Sequence, residues 1–214
     1  RITEQLNPQD IIKKTYIDSE KCSNFKWIIG LFPLLSITLF VTGTMTLFQS
    51  ILPLDLANGG ITRTPFPEEK VASLLTIKLI LLAIFQWPVG YILRNKNSPY
   101  KFKLCFTLLI VGFVFLSISN LLYDGYFTIL IAFIPLTISL CIFLPSASDA
   151  IIRLSPMKHQ GKAMALYSQC FGISALIVPL LAGKMIDYFD TAFQLWLLII
   201  LICIALIPIS KNIK

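Results

Sequence analysis

Six stretches of twenty or more residues along this chain are almost free of charge. Trp27 to Leu54 carries none and Val71 to Leu93 carries only Lys78. Leu104 to Tyr123, Gly125 to Ser148, Ala163 to Gly183 and Thr191 to Ser210 carry none. A helix needs about 20 apolar residues to cross the hydrocarbon core of a bilayer, so each run reads as a membrane span. The runs are too long and too continuously apolar for buried strands, and they lack the alternation of barrel strands. None of the six runs looks like a cleaved signal peptide, since the first begins after 26 polar or mixed residues.

Turn formers separate the runs. Asp55 to Lys70 contains Asn58-Gly59-Gly60 and the prolines Pro65 and Pro67, which stop a helix. Tyr123-Asp124-Gly125 is nearly the whole link between the third and fourth spans, which predicts a tight antiparallel hairpin. The organisation expected is a leader over 1–26, a transmembrane domain over 27–210 and a tail over 211–214. Asn7-Pro8-Gln9-Asp10 marks a helix start, so the leader can form a short interfacial helix. A flexible linker is the simpler expectation.

Composition agrees. Hydrophobic residues make up 56% and charged residues 14%, against about 25% charge in a soluble domain. That much apolar area also excludes disorder. Five cysteines, an odd number with no CxxC pair, exclude a disulfide framework. Four of them lie in apolar runs and read as small hydrophobes. The net charge of +7 raises nucleic acid as a partner, but its location decides otherwise. Fourteen of the 18 basic residues fall before the first span, between the second and third, between the fourth and fifth, or after the sixth. Arg63, Lys70 and Lys184 lie on the other side. Basic loops stay in the cytoplasm, so both termini are expected there, in the plasma (inner) membrane.

Several six-helix classes lack their chemistry here. An intramembrane serine protease needs a histidine in the bilayer, and the single histidine, His159, lies in a loop. An aquaporin needs two Asn-Pro-Ala half-helices, and the sole Asn-Pro is Asn7-Pro8. An ATP-driven exporter with its own nucleotide domain needs GxxxxGK[ST], which is absent. No cluster has metal-ligand spacing, so neither a metal nor a cofactor is implied, and an enzyme is hard to support.

Three passages carry more. The second span ends Gln86-Trp87-Pro88-Val89-Gly90-Tyr91-Ile92-Leu93-Arg94. The fourth ends Pro145-Ser146-Ala147-Ser148-Asp149, ahead of Arg153. The fifth begins Gln160-Gly161-Lys162-Ala163 and finishes Pro179-Leu180-Leu181-Ala182-Gly183. In their order and spacing these passages resemble the C-terminal half of a major facilitator superfamily transporter over nearly the whole chain. Gly90 matches the glycine of the family's basic-turn motif, while Arg94 stands where the motif carries an acid. The resemblance implies an all-α, polytopic bundle of two three-helix repeats. It also implies secondary active transport of a small solute by alternating access, with a cavity between this half and an N-terminal six-helix half. That half would lie upstream in the same polypeptide or in a separate chain. Residues 1–26 would then be the end of the central linker, and the missing initiator methionine fits a fragment or a split product. The alternative is a non-transporting membrane scaffold or regulatory half-protein. Besides the second half, the partners expected are the lipid bilayer and a small-molecule substrate, with no nucleic acid.

The candidate residues follow from spacing. Thr38, Thr42 and Gln49 share one face of the first span, either lining a cavity or hydrogen-bonding between helices. Lys78 is the one intramembrane charge. It is close enough to the outer end to snorkel toward the headgroups, or it faces inward to an anionic substrate or a carboxylate of the missing half. Gly161, Ala165, Ser168, Gly172, Ala175, Pro179 and Gly183 form a stripe of small residues on one face of the fifth span. That stripe is either an ordinary close interface or a surface that slides during gating. Asp149 and Arg153 stand at i, i+4 if the fourth helix continues past the interface. By resemblance they and the Gly90–Arg94 turn belong to the cytoplasmic gate. His159 reads as a solvated loop residue.

Overall fold

The computed structural model describes the backbone of residues 8–94 and 96–211, and the side chains of residues 27–94 and 96–208. Leader residues 1–7, Asn95 and tail residues 212–214 lie outside the described residues.

The six apolar runs become six α-helices: α1 (Pro8–Asn58), α2 (Glu68–Leu93), α3 (Ser98–Ser119), α4 (Tyr126–Leu154), α5 (Gln160–Phe189) and α6 (Phe193–Lys211). No strand occurs among the described residues. By length and composition α1 to α5 can cross a membrane, and α6 carries a shorter apolar stretch, Phe193–Pro208. The helices outrun most of the uncharged runs. An apolar run records the thickness of the hydrocarbon layer, whereas backbone hydrogen bonds continue into the interface until a turn former intervenes. The leader shows this most. Where described, it is not a short helix of its own, because α1 runs unbroken from Pro8 through the first span. At 1.5 Å per residue its 51 residues extend about 75 Å.

Local chemistry explains the ends. Gly59 takes φ +88° after α1 and gives its N–H to the Asp55 carbonyl at 3.1 Å, a left-handed helix cap. A Cβ there would stand 2.8 Å from the Arg63 carbonyl oxygen, so glycine is required. Glu68 and Glu69 occupy the first turn of α2, where the helix dipole favours negative charge. A proline opens α3, where its missing N–H has no intrahelical partner to lose.

Packing is crossed. The first helix of each set of three lies along the second helix of the other set, α1 on α5 and α4 on α2. Behind them α3 packs on both α4 and α6. The core between these layers is aromatic, with Phe102, Phe106, Phe113, Phe133, Phe143 and Trp196 fully buried. Gly112 of α3 is buried against Leu136 of α4, leaving no room for a side chain. Cys105, Cys141, Cys170 and Cys203 are buried and free, as small hydrophobes in the packing.

The small-residue stripe of α5 is not an interface within this chain. Gly161, Ala165, Ser168, Gly172 and Ala175 are exposed, and Pro179 and Gly183 are half-buried. An added Cβ at Gly161, Gly172 or Gly183 would meet no atom within 4 Å. The face laid on α1 is that of Ala163, Tyr167, Cys170 and Ser174, all buried. Each lies two residues from a stripe member, about 200° around the helix. Both faces of α5 are built from small and polar residues, so spacing alone could not say which one this half uses.

Candidate functional site

A groove runs between α2 and α4 at the end of the bundle where α2 turns into α3. Its upper part, about 440 Å³, is bordered by Leu82, Gln86, Gly90, Cys141, Pro145 and Ser148. Its lower part, about 300 Å³, shares Gly90, Cys141 and Pro145 and adds Arg94, Lys101, Ser146, Asp149 and Arg153. Each wall carries a proline, Pro88 in α2 and Pro145 in α4, which removes an i→i−4 hydrogen bond. Gly90 contributes no side chain to fill the gap. Of the four residues assigned to the gate, Gly90, Arg94, Asp149 and Arg153, all border this one cavity. The helix does continue far enough for the i, i+4 pair. Arg153 Nε donates to Asp149 Oδ1 at 3.0 Å, and its second nitrogen lies 3.0 Å from Oδ2.

Lys78 does not snorkel. Its ammonium turns into the bundle, donates to the Phe48 carbonyl of α1 at 3.2 Å and lies 5.2 Å from the centre of the Phe48 ring. The cavity beside Lys78, about 10 Å³ and lined by Phe133, Leu136, Thr137 and Leu140, holds at most about one water.

From Lys78 an aromatic column crosses the bundle. Phe48 stacks on Phe113 with ring centres 5.6 Å apart, and Phe113 on Trp196 at 5.7 Å. Trp196 Nε1 donates to Asp55 Oδ2 at 3.3 Å. Asp55 and Arg63 then form an ion pair at 3.2 Å with both side chains fully buried. Arg63 also donates to the Asp55 carbonyl at 2.7 Å and to Ser119 Oγ at 3.1 Å. The loop between α1 and α2 is held to the α3 end as well, since the Thr62 N–H donates to the Asn120 carbonyl. This cluster, which ties α1, α3 and α6 together at the end of the bundle where α1 turns toward α2, was missed by sequence reasoning. Its signal was present: an acid just past an uncharged run, followed eight residues later by an arginine across an Asn-Gly-Gly reversal.

The remaining candidates separate. Thr38 and Thr42 are buried. Thr42 Oγ1 meets Ser174 Oγ of α5 at 2.7 Å, and Ser174 donates to the Leu39 carbonyl at 3.0 Å. This is the helix–helix hydrogen-bonding alternative. Gln49, on the same helical face, is exposed, because spacing sets the direction of a side chain and not how far a neighbouring helix runs beside it. His159 is half-buried rather than solvated. It stacks on Trp27 with ring centres 5.4 Å apart and planes 3° from parallel.

No curated protein and no solved structure matches the chain. The model of the Major Facilitator Superfamily matches residues 30–211. With apolar spanning helices packed in crossed triplets and a basic-turn groove between α2 and α4, the chain is an integral, multi-pass membrane protein belonging to the major facilitator superfamily, a family of membrane transporters.

Proposed function

We propose that this chain is one half of a secondary active transporter, moving a small solute by alternating access along a pathway between itself and a second six-helix half. The observation that carries this is uneven burial. In α1, α3 and α4 the most apolar stretch is 44%, 50% and 56% buried, but only 6% in α2 and 17% in α5. The exposed faces are not purely lipid-like. Gln86 of α2, Ser168 and Gln169 of α5 and Gln49 of α1 are all exposed. An amide against hydrocarbon leaves its hydrogen bonds unmade, so these side chains belong beside protein or water. A second half laid over α2 and α5 would cover the small stripe and leave the glutamines at a watery seam, the place where transporters of this build hold their solute. Lys78 has no carboxylate partner among the described residues and is the cation offered to an anionic group of the solute or of the other half. No residue is assigned a catalytic role.

Thiol labelling separates this reading from a scaffold. Cysteines replacing Gln49, Gln86 and Gln169 should react with a hydrophilic maleimide in native membranes, and one replacing Leu201, exposed on α6, should not. Inertness at all three glutamine sites would make the exposed faces mere packing surfaces and favour the scaffold.

We further propose that both termini are cytoplasmic in a plasma (inner) membrane, on the distribution of basic residues. Single cysteines at Asn58 and Asp124 should then be labelled by an impermeant reagent from outside intact cells, and one at Asn97 should not. The reverse pattern would invert the topology.

A further inference from the structure

The basic end of the groove holds two cations that no carboxylate among the described residues pairs. Arg94 at the end of α2, Lys101 in the first turn of α3, and Asp149 and Arg153 near the end of α4 border the same 300 Å³ cavity. Asp149 is already satisfied by the two-point contact with Arg153. Arg94 and Lys101 have no carboxylate partner among the described residues. Ser146, in the same wall, is only 5% exposed. Other serine hydroxyls of α4 and its C-terminal cap, those of Ser139, Ser148 and Ser155, bond a carbonyl three or four residues back. That of Ser146 makes no hydrogen bond among the described residues. A hydroxyl without a hydrogen-bond partner, carried by a buried serine, and two cations without a carboxylate partner among the described residues therefore border one pocket.

We propose that this cavity binds a phosphate group, carried by the headgroup of an anionic phospholipid or by a free phosphate. The charge argues for it, since two uncompensated cations match a group bearing one to two negative charges. The shape argues for it too. The donors bordering the pocket come from three separate segments, the end of α2, the start of α3 and the wall of α4, which suits the several oxygens of a phosphate, and the arginine fork matches phosphate geometry. Depth agrees with the lipid source: the pocket lies at helix ends, where basic clefts between spanning helices take phospholipid headgroups. The cavity is large enough for the phosphate and its first ester substituent. This assignment does not rest on the transport reading.

The test is binding by the purified chain in neutral detergent, read by native mass spectrometry and thermal melting. The probes are phosphatidylglycerol, phosphatidylcholine and inorganic phosphate. Phosphatidylglycerol should be retained over phosphatidylcholine, and Arg94→Gln or Lys101→Gln should each weaken it about fivefold. Ser146→Ala should also weaken it, whereas Lys101→Arg, and Lys184→Gln at the other end, should not. Inorganic phosphate raising the melting point of wild type but not of Arg94→Gln, with no lipid preference, would assign the free anion as the source. Equal retention of both lipids with no effect of phosphate would overturn the proposal. So would wild-type binding by the Arg94→Gln/Lys101→Gln double variant.

Discussion

Arg63→Ala should unfold this bundle far more readily than removal of any exposed charge. Arg63 and Asp55 are paired at 3.2 Å with no solvent exposure, and Trp196 and Ser119 bind the pair from α6 and α3. Removing one partner leaves the other charge buried without compensation, which costs about 3–5 kcal/mol. Asp55→Asn should fall in the same range, because it strands the guanidinium. Breaking the exposed pair, by Arg153→Ala, should cost about 0.5 kcal/mol or less. The most informative arm is the double variant Asp55→Leu/Arg63→Met. With no charge left to strand, it should recover most of the loss, since an apolar replacement of a buried pair is often neutral or better. Denaturation in mixed detergent, followed by circular dichroism, reads all four. A loss below about 1 kcal/mol in both single variants would mean that water reaches the pair, as at an exposed salt bridge.

That cluster also shows where the sequence stopped being legible. The helices were visible because a bilayer imposes a length and a composition on every span, and the described chain keeps them. The grouping of Gly90, Arg94, Asp149 and Arg153 around one groove was visible in part because its pairs are local: Asp149 and Arg153 are four apart, and Gly90 and Arg94 lie on one turn. Asp55 and Arg63 are nearly as close in sequence, yet counting Arg63 as an ordinary outer-loop charge hid their contact. Only the fold reveals that Trp196, far along the chain, closes over them. Thr42 and Lys78 were each left between two readings for a related reason. A helical period says which way a side chain leaves its own helix and nothing about what it meets. Thr42 meets Ser174 and Lys78 meets the Phe48 carbonyl, both on another helix. Ser146 and Lys101 carried no signal, since a serine in a span ordinarily bonds its own preceding turn.

The two faces of α5 lead to the last expectation, which separates folding from assembly. Ser174→Leu should destabilise the 214-residue chain, because the buried α1–α5 contact loses the 2.7 Å bond to Thr42 and gains volume it cannot hold. Overpacking of this kind costs about 1–3 kcal/mol. Gly172→Leu should leave the chain's own melting within about 0.5 kcal/mol of wild type, since nothing within 4 Å opposes a new Cβ there. In the proposed assembly, however, Gly172 lies on the face that meets the second half, where small residues let two backbones approach closely. Gly172→Leu should therefore abolish co-purification with a co-expressed N-terminal six-helix half while leaving membrane insertion intact. Residues 1–214 alone should insert and transport nothing, because alternating access needs a site enclosed by two halves, and a matching half should restore activity. Solute uptake by the reconstituted 214-residue chain alone would replace this picture with a self-pairing half. Undiminished co-purification by Gly172→Leu would move the contact off the stripe and onto another face.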